Sequence, residues 1–187
     1  YANELLDTFG LDRQKKVKNL SKGMRAQACL IAAVAHCPDL LLLDEPSTGL
    51  DAVVRRDILN AIIRAVADDG RTAIFSSHLL DEVELMSDHV FMINQGKLVL
   101  QGSLDTIKEE HQRFSVRLAG DELPPIEGIL SAERQGADWS IVCNGASQQI
   151  RESLLSHGAE IIKSRNATLQ EIFVARVGRD RLVSNEE

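Results

Sequence analysis

Leu40-Leu41-Leu42-Leu43-Asp44-Glu45-Pro46-Ser47-Thr48-Gly49-Leu50-Asp51 is the stretch on which the reading of this chain turns. Four leucines without polar alternation fit a β-strand covered on both faces, as in a parallel sheet flanked by helices. Such sheets take their ligands at the carboxyl ends of their strands, and this strand ends in two adjacent carboxylates, Asp44 and Glu45. The plainer alternative is a strand followed by an acidic turn, with Asp51 capping the helix that begins near Ala52.

Two neighbouring segments bear on that choice. Upstream, Asn19-Leu20-Ser21-Lys22-Gly23-Met24-Arg25 leads into apolar residues at Met24, Ala28, Ile31, Ala32 and Ala35, the spacing of an amphipathic helix with Ser21 as its N-cap. A helix start offers unpaired N–H groups and the positive end of its dipole, which favours phosphate. Gly23 keeps a side chain out of the way there and Lys22 adds a cation, although many serine-capped helices bind nothing. Downstream, Arg71 to Phe75 reads as a second short buried strand, followed by Ser76-Ser77-His78 and the helix-like Leu79 to Met86. A histidine just past a parallel strand is placed to reach a phosphate, or a water held by Glu45; a capping or structural role is the alternative.

The order LSKGM, LLLLDEPSTGLD, SSH resembles the second half of the nucleotide-binding domain of ABC transporters. Leu20, Ser21 and Gly23 match that family's LSGGQ signature, LLLLDE matches Walker B, Ser47 to Asp51 resembles the D-loop, and His78 resembles the switch histidine. The resemblance covers Tyr1 to Gly102 and is looser beyond. It implies an α/β fold: the C-terminal half of a P-loop NTPase domain with part of its helical subdomain, in residues 1–112, plus a small α+β accessory domain in residues 113–187. It also implies ATP held between two such domains arranged head to tail. Ser21, Lys22, Gly23 and Met24 would then act on the nucleotide held by the partner. Asp44 would hold Mg²⁺, Glu45 would polarise the attacking water, His78 would contact the γ-phosphate, and Asp51 would communicate across the dimer. The implied partners are a second ATP-binding subunit, as a homodimer, and a separate membrane permease. The implied location is cytoplasmic, on the inner face of the cell membrane.

Two departures from the family pattern shape the expectation. The sequence contains no G-x-x-x-x-G-K-[ST] loop and no glutamine-bearing loop before the signature. The chain is therefore expected to be the C-terminal portion of a longer protein and to be inactive alone. Within the signature, Lys22 replaces a glycine and Met24 a glutamine, a variation that resembles the ATPase subunits of bacterial exporters. Two other readings stay open: an ABC-family ATPase that moves no solute, and a non-catalytic regulatory or dimerisation module.

Composition narrows the field further. The formal net charge is −7 without a dense basic run, so nucleic acid is not an expected partner. The basic cluster Arg13, Lys15, Lys16 and Lys18 reads as a solvated loop face. Cys29, Cys37 and Cys143 form no C-x-x-C pair and fit a reducing compartment, with Cys29 and Cys143 as small core residues. The longest apolar stretch, Ala28 to Ala35, is far short of the ~20 residues that a membrane-spanning helix requires.

Beyond the second strand, Ala52 to Ala67 reads as a helix ended by Asp68-Asp69-Gly70. His89 to Ile93 and Lys97 to Leu100 read as a hairpin around Asn94-Gln95-Gly96, closing an edge of the sheet. Ser103 caps a helix running to about His111. Strands at Phe114 to Leu118, Ile129 to Glu133 and Trp139 to Cys143 follow, with a loop over Gly120 to Gly128. A helix from Ser147 to Ser156, a strand at Glu160 to Lys163, and a capping box at Thr168-Leu169-Gln170-Glu171 opening a last helix complete an α+β order. Ser184 to Glu187 are expected to fray.

Overall fold

The computed structural model describes residues 1–67, 70–118, 120, 123–145 and 147–183; Asp68 and Asp69, part of the expected loop over Gly120 to Gly128, and the expected frayed end lie outside the described residues. The described chain divides into two compact units, Tyr1–Glu82 and Val83–Glu187. It holds no helix long and apolar enough to cross a membrane among those residues.

The first unit contains helices α1 (Ala2–Thr8), α2 (Lys22–Val34) and α3 (Ala52–Ala67), strands β1 (Leu40–Asp44) and β2 (Thr72–Ser76), and the start of α4 (Leu80–Met86). Ser21 caps α2 as its sequence suggests, its Oγ accepting the Met24 N–H at 3.2 Å. The buried stripe of α2 is Gln27, Leu30, Ile31 and Val34, about one position away from the phase drawn through the alanines. Alanine contributes little area, so the larger Leu30 and Val34 set which side turns inward. Cys29 consequently lies on the outer side and is exposed, contrary to its expected core role, whereas Cys143 is buried.

Strands β1 and β2 pair in parallel with Leu40 opposite Thr72, Leu42 opposite Ile74 and Asp44 opposite Ser76. Alternation sends Leu41 and Leu43 to one face and Leu40 and Leu42 to the other. Leu41 is buried, with α3 supplying Ile58, Ile62 and Ala65 to the same core. The opposite face is open: Leu40 is 50%, Leu42 67% and Ile74 59% exposed. Burial on both faces, expected from the leucine run, is thus corrected to burial on one, because no described residue covers the second.

In the second unit, β3 (His89–Asn94) and β4 (Lys97–Ser103) form an antiparallel hairpin. Its two-residue loop has positive φ at both Gln95 and Gly96, the geometry whose twist matches that of the flanking strands. The hairpin is a two-stranded sheet of its own and does not extend β1–β2, as the sequence pattern suggested; ladder partners depend on distant residues that local periodicity does not encode. Ser103 caps α5 (Leu104–Glu110), its Oγ accepting the Thr106 N–H at 3.1 Å.

The rest is a four-stranded antiparallel sheet in the order β6 (Ile129–Gln135), β7 (Asp138–Asn144), β5 (His111–Arg117), β8 (Glu160–Asn166). Phe114 and Val116 of β5 and Ile141 and Cys143 of β7 share one face and bury themselves against Ile150 and Leu154 of α6 (Ser147–Ser156). Trp139, partly buried, packs at the border of that core. At the outer edge, β8 carries one extra residue, Ile162, between the partners of Ser115 and Val116, a β-bulge. The opposite face meets α7 (Leu169–Val183), where Arg113 and Arg165 converge on Glu171.

Thr168 and Glu171 form the expected capping box. Thr168 Oγ1 accepts the Glu171 N–H at 3.3 Å and Glu171 Oε2 accepts the Thr168 N–H at 2.9 Å. Burial alone pushes the Glu171 carboxyl up, but hydrogen bonds from Arg165, the Thr168 N–H and Arg113 outweigh it and bring its pKa down to about 2. A carboxyl held below its unfolded value stabilises the fold above that value and loses the contribution as pH falls towards the folded one. Glu171→Gln should therefore lower stability at neutral pH by about 1.5–3 kcal/mol, with the gap to wild type closing between about pH 4.5 and 2. Urea unfolding of both proteins across that range reads the convergence.

Candidate functional site

The carboxyl ends of β1 and β2 lie side by side because the parallel register sets Asp44 opposite Ser76. Ser76 Oγ donates to Asp44 Oδ1 at 2.5 Å and accepts the Glu45 N–H at 3.0 Å. One hydroxyl therefore holds both acidic positions. Glu45 then leaves the strand at φ +46, a left-handed conformation that non-glycine residues adopt at a cost and that concentrates at functional sites. That turn sends its carboxylate to the loop after β2, where both oxygens lie 2.8 Å from His78 Nδ1.

Thr48 donates a short hydrogen bond to Glu45 Oε2. The Thr48 hydroxyl first and the His78 imidazole second hold the Glu45 carboxyl below the usual carboxylate range. A site so arranged keeps Glu45 ionised, able to accept a hydrogen bond from a water. With Nδ1 directed at Glu45, the ring of His78 leaves Nε2 facing away from the carboxylate. His78 is 62% exposed and Glu45 34% in their side chains, so the pair is reachable from solvent.

The other sequence-expected residues divide into two groups. Asp44 stands beside Glu45 and His78. Asp51 uses its Oδ1 to accept the Val53 and Val54 N–H groups at 3.1 Å each, capping α3 in the manner of the plainer sequence reading. Ser21 caps α2 and Lys22, Gly23 and Met24 begin it, against the loop and first turn that lead from Glu45 into α3. A Cβ on Gly23 would meet the Val54 side chain at 3.3 Å, so the missing side chain already serves close packing on α3. Gly49, at φ +69, lies under the Lys22 ammonium, which a Cβ there would displace. Met24 Sδ sits 3.7 Å from Lys15 Nζ.

Among the described residues no group of three or more His, Cys, Asp or Glu is placed to hold a metal. That rules the donor set out as a zinc cage and leaves it compatible with Mg²⁺, which keeps several waters and takes one or two carboxylates together with substrate phosphates. Asp44 offers a carboxylate, its Oδ1 engaged by Ser76.

The sequence reading gave no individual role to Ser76 or Glu82 and placed Ser47 and Thr48 only as part of the D-loop-like segment. Ser76 could have been found by pairing the two strands in register from their carboxylate and hydroxyl ends. Ser47, fully buried, donates to the equally hidden Glu82 at 2.5 Å, and no local signal joins residues so far apart in the chain.

The causes assigned to the low Glu45 pKa are separately testable. In carboxyl-carbon NMR titrations of this chain, Thr48→Val and His78→Ala should each raise the Glu45 pKa towards the ordinary value. An unmoved titration in both variants would contradict the hydrogen-bond assignment.

Comparison with known proteins bears on the family and the fold. A protein-family profile described as "AAA domain, putative AbiEii toxin, Type IV TA system" matches residues 8–84. The ABC transporter ATP-binding protein YtrB of Bacillus subtilis is 28% identical over 97% of this chain and 63% of its own length. The daunorubicin/doxorubicin resistance ATP-binding protein DrrA of Streptomyces peucetius is 35% identical over 71% of this chain and 41% of its own. A solved ATP-binding subunit of an ABC transporter superposes with a TM-score of 0.51 at 28% identity, over 57% of this chain and 45% of that one. The chain thus spans less than two thirds of the length of these relatives. Motif order, strand register and relatives together identify the chain as an ABC nucleotide-binding-domain-like sequence with the α/β fold of the P-loop NTPase cassettes, of which it spans a part.

Proposed function

We propose that the protein carrying this chain is the ATP-hydrolysing subunit of an ABC-type exporter, working as a head-to-tail dimer on a separate membrane permease at the inner face of the cell membrane. The observation that carries the reading is the 2.8 Å approach of His78 Nδ1 to Glu45 at the ends of two parallel strands, with Asp44 alongside. In this proposal residues 1–112 belong to the nucleotide-binding domain and residues 113–187 to an accessory domain, although Gln112 falls inside β5. The resistance named for DrrA and the signature variant at Lys22 and Met24 support export over a non-transport role.

Within the site, Asp44 would hold Mg²⁺, which would supply charge neutralisation at the phosphates. Glu45, kept ionised by Thr48 and His78, accepts a proton of the attacking water and fixes its direction. His78, with Nδ1 donating to Glu45, presents Nε2 to a phosphate oxygen, and its imidazolium form can donate there. Ser21, Lys22, Gly23 and Met24 face the nucleotide of the partner subunit, and Asp51 sits at that boundary. Phosphoryl transfer depends mainly on such positioning and on charge stabilisation.

In the full-length protein, Glu45→Gln should retain ATP binding and lower turnover by about 10²-fold or more; undiminished phosphate release would remove Glu45 from its role. The 187 residues alone should release no phosphate from ATP above a no-protein control. A rate equal to that of the full-length protein would refute the proposal that the phosphate cradle lies outside this chain.

A further inference from the structure

Behind the Glu45–His78 pair lies a carboxylate that the proposed chemistry does not use. Glu82, on α4 four residues after His78, is 4% exposed, and Ser47, two residues after Glu45, is 0% exposed. Ser47 Oγ donates to Glu82 Oε2 at 2.5 Å. The second oxygen, Oε1, lies 3.4 Å from Arg55 Nε in an ion pair. Arg55 belongs to the first turn of α3, and its own Nη2 donates to the Leu50 carbonyl at 3.4 Å. One buried carboxylate therefore gathers the turn that follows Glu45, the helix that ends that turn, and the segment that His78 begins.

Burying a carboxylate is costly unless it is paired and hydrogen-bonded; here Ser47 supplies the hydrogen bond and Arg55 the opposite charge, through an ion pair that makes no hydrogen bond at Oε1. The Glu45 side is under backbone tension at φ +46 and needs an external restraint of this kind. Ser47 and Thr48 supply it in opposite directions: Thr48 reaches back to Glu45, and Ser47 reaches down to Glu82. The loop of Glu45 and the loop of His78 are thus joined twice, once at the surface through the catalytic pair and once below through Ser47 and Glu82.

We infer that Glu82 is a positioning residue that registers the Glu45 turn against the His78 segment, so that its removal impairs turnover more than nucleotide affinity. The kinetic half of this inference rests on the proposed ATPase reading; the geometric half does not. In the full-length protein, Glu82→Ala should lower kcat by about 10- to 100-fold while KM for ATP stays within about threefold. Ser47→Ala should cause a loss of the same order, and the double variant should be little worse than either single one. Glu82→Gln, whose amide oxygen still accepts from Ser47, should recover part of the loss.

A kcat for Glu82→Ala within about twofold of wild type, or a proportional rise in KM that accounts for the whole loss, would overturn the inference. NMR on this chain provides the reading that needs no nucleotide: Ser47→Ala and Glu82→Ala should move the Glu45 side-chain carboxyl and His78 ring resonances at one fixed neutral pH, as the contact between them loosens. If wild-type protein hydrolyses no ATP yet Glu45 shifts in these variants, the functional reading fails and the positioning survives. An unmoved Glu45 in both folded variants would sink the positioning.

Discussion

Ser76 Oγ sits between the Asp44 carboxylate and the Glu45 N–H, and the rest of the site depends on that bridge. It exists because β1 and β2 pair in parallel with residues 44 and 76 opposite each other. A slip of one residue would send the hydroxyl to the other face and leave the turn at Glu45 without its anchor. The register is in turn fixed by burial of Leu41 against the helical layer. Apolar packing on one face of two short strands thus determines where two acids and an imidazole meet.

Much of this was legible in the chain. The α3 span, the N-caps at Ser21 and Ser103, the hairpin turn at Asn94-Gln95-Gly96 and the capping box at Thr168 all rest on local chemistry, and each appears where the residues place it. Asp44, Glu45 and His78 were legible for a similar reason: an acid pair and a histidine at the ends of apolar runs can be recognised one segment at a time. The comparisons bear out the family and the fold.

What escaped the sequence involves distant pairing or the competition between neighbours for burial. The phase of α2 was drawn through alanines that carry little area, which put Cys29 on the wrong side. The leucine run of β1 encodes affinity for cover on two faces, but only one face receives it. The Ser47–Glu82 contact joins the turn after β1 to α4, and no local pattern in either segment pairs the two residues. Gly23 illustrates a different ambiguity: its lack of a side chain answers to Val54 packing as readily as to an approaching ligand.

The bulge at Ile162 has a consequence for how copies of the second unit can meet. An unbroken outermost strand would offer an even row of N–H and C=O groups, on which a strand from another molecule could lie down in continuous alignment. Because β8 accommodates an additional residue at Ile162, its repeat is interrupted and its local twist is increased. Edge-to-edge addition of a strand is thereby discouraged along that border, and the opposite rim carries a like interruption at Leu130 of β6.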